Sequence, residues 1–377
     1  MKNRQGELEL YVHIPFCVRK CSYCDFLSFF AGKEQQEQYV QALLKEIKAV
    51  NTGNFGRVSS VFIGGGTPSV LAPAQTERIL EALRENFEFA PNAEITMEAN
   101  PGTLDREKLA ACRRAGINRL SLGLQSPQDE ELKALGRIHT FREFRENFSL
   151  AREEGFDNVN VDLMFAIPGQ GREDWAKNLH RVAQLGPEHI SAYSLIVEEG
   201  TPFASQKLDL PDEETEYAMY EDTAEILRGY GYGQYEISNY AKEGFACRHN
   251  IGYWRRVNYL GLGLGASSLL DDQRFSNTRS MEQYLRLSSD PLQIRCMEPP
   301  LTREDAMGEF MFLGLRMSSG VSRVEFERNF GCSMESVYGR TLEKYCSLGL
   351  LAEERQRVFL TRRGIHVSNA VMADFLL

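Results

Sequence analysis

Cys17, Cys21 and Cys24 fall within eight residues in the spacing C-x3-C-x2-C. So short a loop brings three thiolates toward three corners of an iron–sulfur cube, for which thiolates are the usual ligands. The fourth iron is left without a protein ligand, and an open metal position of that kind takes a small molecule. Zinc is the alternative occupant. A structural zinc site adds a second Cys or His pair at short spacing, and Phe26 stands where a fourth nearby thiolate would be looked for. A second pattern is Gly64-Gly65-Gly66-Thr67-Pro68. Its glycines let the backbone approach a ligand and offer N–H groups to a carboxylate or hydroxyl, although a tight strand-to-helix turn explains the same run. Glu98 and Asp162 stand at the ends of apolar runs, where an isolated acid is ordinarily a loop cap or a solvated group.

These residues need elements to hold them. Short β-branched or apolar runs alternate with amphipathic helical stretches through the first two-thirds of the chain, the pattern of β/α units around a parallel sheet. Strands are predicted at 8–14, 60–63, 94–98, 119–124, 158–165 and 189–195, with helices such as 33–50 and 75–87 between them. A barrel or partial barrel collects its functional groups at the carboxyl ends of the strands. The cysteine loop, the glycine run, Glu98, Gln125, Asp162 and Glu198-Glu199-Gly200-Thr201-Pro202 all follow strands in that way. Residues 212–230 read as one more helix and 231–265, rich in glycine and aromatics, as a functional loop region. From Thr302 the pattern is helical again, with a hairpin of 350–353 and 357–360 through 354–356, a small helix-plus-wing unit.

The chain has 377 residues, 42% hydrophobic and 25% charged, ordinary for a globular protein of more than one domain. A formal charge of −10 speaks against a nucleic-acid surface, which draws on a Lys and Arg excess. No apolar run approaches the ~20 residues of a membrane span, and residues 1–9 are polar, unlike a signal peptide. The other five cysteines are scattered and suggest no disulfide framework. A cytoplasmic location is expected.

C-x3-C-x2-C directly after a first strand resembles the radical S-adenosylmethionine superfamily. Tyr11-Val12-His13-Ile14-Pro15-Phe16-Cys17 is similar to the oxygen-independent coproporphyrinogen III oxidase group within it. The resemblance implies a partial (β/α)6 TIM-like barrel, α/β in class, with a smaller C-terminal helical, winged-helix-like domain. It implies a [4Fe-4S] cluster on Cys17, Cys21 and Cys24, with S-adenosylmethionine on the open iron through its amino and carboxylate groups, poised to release a 5′-deoxyadenosyl radical on reduction. The positions matching the group's cofactor contacts are Tyr11, Gly65, Gly66, Thr67, Glu98, Gln125, Arg137 and Asp162.

Two features point to one branch of the group. The oxidases continue as C-x3-C-x2-C-x-C, whereas this chain has Phe26, and Cys247-Arg248-His249-Asn250-Ile251-Gly252-Tyr253-Trp254 carries the HN-x-x-YW pattern of the oxidase-like heme chaperones. The resemblance then implies heme as a further cofactor and cargo, with a haemoprotein acceptor of the respiratory kind. It makes His249 an axial-ligand candidate beside Tyr253 and Trp254, which could pack on a macrocycle; the bland reading is a hydrogen-bonded histidine in a buried loop. Coproporphyrinogen oxidation is disfavoured, while a radical enzyme acting on a porphyrin is the alternative. Turnover of S-adenosylmethionine, a homodimer and transient membrane contact stay open. The expected division is 1–235 barrel, 236–300 connecting region with HN-x-x-YW, and 301–377 winged-helix-like domain. Ala166 stands where many relatives have glycine, and Gly265-Ala266-Ser267-Ser268 has serine where many have histidine.

Overall fold

The computed structural model describes residues 6–50 and 56–376. Six parallel strands follow one another across a single sheet: β1 (Glu7–Ile14), β2 (Arg57–Gly65), β3 (Phe89–Ala99), β4 (Arg119–Gln125), β5 (Val159–Phe165) and β6 (His189–Ser194). Apolar and polar side chains alternate along most of them. Leu8, Leu10, Val12 and Ile14 of β1, Leu120, Leu122 and Leu124 of β4, and Val159, Val161 and Leu163 of β5 are buried toward the helical layer. The alternate positions carry Glu9, Tyr11 and His13 in β1, Glu94, Thr96 and Glu98 in β3, and Asn160 and Asp162 in β5. Parallel strands covered on both faces are ordinarily apolar throughout; here the second face is largely polar, the mark of an interior built for binding.

The segment 231–265 is not a loop region. It contains β7 (Gly233–Glu236), β8 (Asn239–Ala241), the helix Arg248–Trp254 and β9 (Tyr259–Leu262). β8 pairs antiparallel with β6, and β9 pairs parallel with β1. β10 (Ser267–Leu270), β11 (Gln273–Asn277) and β12 (Arg295–Met297) continue outward from β9, so among the described residues the sheet has twelve strands in the order β12-β11-β10-β9-β1-β2-β3-β4-β5-β6-β8-β7. Residues 236–300 are thus built into both edges of the sheet, and Leu260, Phe275, Tyr284 and Ile294 join the same core as β1–β6. Glu46 of the helix Lys33–Ala49 locks this extension in place. Its buried carboxylate accepts from Gly263 N at 2.9 Å, Asn277 Nδ2 at 2.6 Å and Tyr284 Oη at 2.5 Å.

The C-terminal part has its own core of Met307, Met311, Phe326, Phe330, Tyr338, Val358 and Phe375. The helices Arg303–Gly314, Arg323–Phe330 and Met334–Ser347 pack with the small sheet of β13 (Val321–Ser322), β14 (Leu351–Glu354) and β15 (Arg357–Leu360). The β14–β15 turn holds Arg355 and Gln356 at φ 48° and 66°, a two-residue turn of the kind that suits strand twist. Glu309 joins this part to the sheet through Arg256 at 2.7 Å and Arg274 at 2.8 Å.

The helix Arg248–Trp254 lies so close to β1 that a Cβ on Gly252 would overlap the Glu9 carboxyl group. Gly252→Ala should therefore lower stability by about 1–3 kcal/mol, the usual cost of overpacking, read as a drop in the urea midpoint at unchanged m.

Candidate functional site

The cysteine loop is pinched shut at its base. Cys17 N donates to Phe29 O at 3.0 Å and Phe29 N to Pro15 O at 2.9 Å. The buried Phe16 ring meets Phe29 and Tyr39 edge-on. The loop is then tied across the mouth of the barrel. Ser22 N donates to Leu135 O at 3.2 Å, and Phe203 N to Ser22 O at 3.1 Å. Cys17, Cys21 and Cys24 are free and half-buried within it, and burial pushes the Cys24 thiol up.

Among the described residues, no group of three His, Cys, Asp or Glu side chains is arranged to hold one metal ion. A four-iron cube does not ask for that convergence, since its thiolates sit at separate corners. The donor set fits it: three free thiols on one short loop, with hydrogen-bond partners already at two sulfurs. Thr67 Oγ1 lies 3.4 Å from Cys17 Sγ, and Arg137 Nη1 donates to Cys21 Sγ at 3.4 Å.

The glycine run follows β2 beside this loop. Gly65 has φ +111°, and a Cβ there would come within 2.5 Å of the His13 imidazole, so only glycine suits both backbone and packing. Its N–H donates to Glu98 Oε2 at 3.1 Å. Burial, reinforced by the Asp162 charge, pushes the Glu98 carboxyl up to about 7. Asp162 is also raised by burial, against hydrogen bonds from Asn160 Nδ2 at 2.7 Å and Ser121 Oγ at 3.2 Å. Gln125 ends β4 at φ +71°, and its Oε1 accepts from Tyr193 Oη at 2.9 Å. Ala166, just past β5, has φ +54°, which explains a preference for glycine there. Left-handed backbone at two neighbouring strand ends is the kind of strain that gathers at ligand sites. Tyr11 Oη donates to His13 Nδ1 at 3.0 Å, while His13 Nε2–H donates to Leu27 O at 2.9 Å. The structure thus gathers the cysteine loop, Tyr11, Gly65, Gly66, Thr67, Glu98, Gln125, Arg137 and Asp162 about the mouth and interior of one barrel.

His249 is elsewhere. It sits in the helix that closes the opposite end, where the strands begin. Nδ1 is hydrogen-bonded to Ser60 Oγ at 2.8 Å and Nε2 to Tyr253 Oη at 3.0 Å, with the ring stacked on Phe62. The imidazole is fully buried, and burial together with the Arg119 charge pushes it down to about 3. Both nitrogens are hydrogen-bonded and the imidazole lies in the floor of the barrel, so an axial role would require one of these bonds to be given up. Cys247 shares that place, its thiol donating to Glu94 Oε1 at 3.5 Å. The backbone amides of Arg248 and His249 also point at the Glu94 carboxylate, at 3.1 and 3.3 Å.

Two residues escaped sequence reasoning. Asn100 lies two residues after Glu98, just past β3, and its amide contacts both Thr67 and Arg137. Arg119 opens β4 as a buried guanidinium, a position normally apolar.

A cavity of about 480 Å³ opens beside the cysteine loop, lined by Phe26, Leu27, Tyr253, Trp254, Arg274 and Arg279 among others. Ser267, from the segment that departs from its relatives, also lines it. Phe26 is 64% exposed at its edge.

Partial barrel, cysteine loop and glycine run together define a radical S-adenosylmethionine protein, and a family model described as the Radical SAM superfamily matches residues 11–182. A second model, the HemN C-terminal domain, matches residues 301–367. A coproporphyrinogen III oxidase (HemN) structure from Escherichia coli superposes at TM-score 0.86 with 26% identity, covering 99% of this chain and 90% of that one. Heme chaperone HemW of Lactococcus lactis is 37% identical over 97% of this chain and 97% of its own. The Escherichia coli HemW is 37% identical over 98% of each. The chain belongs to the HemW family.

His249→Ala would leave Ser60 and Tyr253 without their buried partner. Its expected cost is on the order of 3 kcal/mol, measured as a loss of unfolding free energy in urea rather than as a lost metal ligand.

Proposed function

We propose that this protein binds heme and hands it to an acceptor haemoprotein, while Cys17, Cys21 and Cys24 hold a [4Fe-4S] cluster whose open iron takes S-adenosylmethionine. The observation that carries the reading is the end-to-end likeness to proteins named heme chaperones. When bound, the cluster supplies an electron and a coordination site for the methionine end of the cofactor. The chain's own groups do the rest. Glu98 offers a carboxylate to the N–H of the cofactor's amino group and to its nearby sulfonium charge, beside amides of the Gly64–Thr67 turn. Gln125 and Asp162 face ribose hydroxyls, and Tyr11 packs near the methionine end.

The heme lies in the cavity beside the cysteine loop. Tyr253 and Trp254 give it aromatic faces, and Arg279, exposed and without a carboxylate partner among the described residues, meets a propionate. Arg274 is held by Glu309 and by Tyr259 at 3.1 Å, which keeps a second guanidinium at the same wall. Among the described residues no helix is long and apolar enough to cross a membrane, so delivery to a membrane-bound acceptor would proceed by docking.

Hemin titration of anaerobically reconstituted protein tests this. Wild type should develop a saturable Soret band, Arg279→Ala should bind about tenfold more weakly, equal to about 1.4 kcal/mol, and His249→Ala should keep the band if folded. Wild type without saturable binding would sink the chaperone reading. Conversion of coproporphyrinogen III by the same sample would favour the enzyme alternative.

Binding of the cationic cofactor should strengthen as pH rises through about 7, because Glu98 is neutral below that value and charged above it. Calorimetric titration at pH 6 and pH 8 should show the rise in wild type and its loss in Glu98→Gln.

A further inference from the structure

Three side chains, Arg137, Asn100 and Thr67, connect two of the cluster thiols in an arc whose direction follows from chemistry once the thiols are ligands. Arg137 Nη1 donates to Cys21 Sγ at 3.4 Å, and Arg137 Nη2 donates to Asn100 Oδ1 at 2.6 Å. A guanidinium can only donate, so the oxygen of the Asn100 amide must face Arg137 and its nitrogen must face the other way. That nitrogen donates to Thr67 Oγ1 at 2.7 Å. A cluster-bound Cys17 is a thiolate with no proton to give, so the Thr67 hydroxyl, which accepts from Asn100, directs its own proton to Cys17 Sγ, 3.4 Å away. One residue that touches no sulfur therefore orients a donor at each of two.

The surroundings hold Asn100 to this job. Its backbone N–H donates to Ser69 Oγ at 3.3 Å. Gly123 leaves room for the side chain: a Cβ there would lie 2.7 Å from Asn100 Oδ1 and 3.2 Å from Arg137 Nη2. Arg137 is further fixed by Gly123 O. The arc spans the loops after β1, β2, β3 and β4, so the sulfur donors are set by the barrel and not by the cysteine loop itself.

We infer that Asn100 is a positioning residue that sets the cluster's reduction potential by aiming Thr67 at Cys17 and Arg137 at Cys21. Hydrogen bonds to ligand sulfurs are among the levers that set cluster potentials. Donors stabilise the reduced cluster, which carries one more negative charge, so the arc raises the potential. The inference rests on the cluster reading of the three cysteines.

The test is a potentiometric titration of the full chain, reconstituted anaerobically without S-adenosylmethionine, with the reduced cluster followed by electron paramagnetic resonance and iron counted for each variant. Asn100→Leu keeps the volume and removes both polar ends. It should load iron like wild type while its reduction equilibrium falls about tenfold, a negative shift of about 59 mV for one electron. Thr67→Val should shift the same way by less, Thr67→Ser should restore the wild-type value, and Asn100→Leu with Thr67→Val should go no lower than Asn100→Leu alone. Equal potentials in loaded wild type and Asn100→Leu would overturn the inference and leave the cluster reading intact. Wild type that assembles no cluster would overturn both. If Asn100→Leu loads no iron, the Thr67 pair decides: a drop in Val recovered in Ser supports the arc, and no difference overturns it.

Discussion

Burying charge inside a barrel is tolerable only when every charge is met, and the meeting of Glu94 with the start of the helix Arg248–Trp254 is the contact on which the rest turns. Isolated ions in a protein interior cost several kcal/mol each unless paired and hydrogen-bonded. Glu94 receives two backbone amides and the Cys247 thiol, with the buried Arg119 guanidinium close enough that each charge acts on its neighbours. Glu9 answers the same constraint differently: burial pushes its carboxyl up to about 9, so it stays neutral beside His249. The floor is thereby closed by polar groups that largely answer one another, with Glu9 Oε2 and Arg119 Nε left without a hydrogen bond, and the polar face of the strands above it is left for ligands at the opposite mouth.

That division of labour gives the HN-x-x-YW motif a structural role. His249 joins Ser60 of β2 to Tyr253, Gly252 admits the Glu9 carboxyl group, and Trp254 carries Arg316 of the C-terminal part over its ring at 4.4 Å. The motif welds barrel floor, cavity wall and C-terminal domain into one piece. Tyr253 and Trp254 reach the cavity because the helix is anchored behind them, so a substitution at His249 would disturb heme binding through the fold before it did so through iron.

The six parallel strands were legible because their alternation has a period of two and is interrupted by helices of ordinary length. The cysteine loop, the glycine run and the strand-end acids were legible because each stands directly after such a strand. What escaped is short or doubly determined. β7, β8 and β9 have four, three and four residues, too few for any periodicity, and β9 joins the parallel strands by pairing with β1 more than 240 residues earlier. Asn100 escaped because an amide in a loop carries no spacing signature; its meaning depends on Arg137 and Thr67 arriving from two other loops.

The same reasoning says which part of the site can tolerate change. Phe26, exposed beside the cavity, has no hydrogen bond from its side chain to lose, and the backbone carbonyl that Lys20 uses at 3.0 Å survives any substitution there. The sulfur donors, in contrast, are fixed from loops after three different strands, and Gly123 and Gly65 leave no volume for a Cβ without moving Asn100 or His13. A relative could therefore alter the second residue after the third cysteine, and with it the shape offered to a tetrapyrrole, without disturbing the hydrogen bonds at Cys17 and Cys21. Chemistry at the cluster and choice of cargo are separable in this fold because they are built from different loops, and only the barrel floor, which supports both, is common to them.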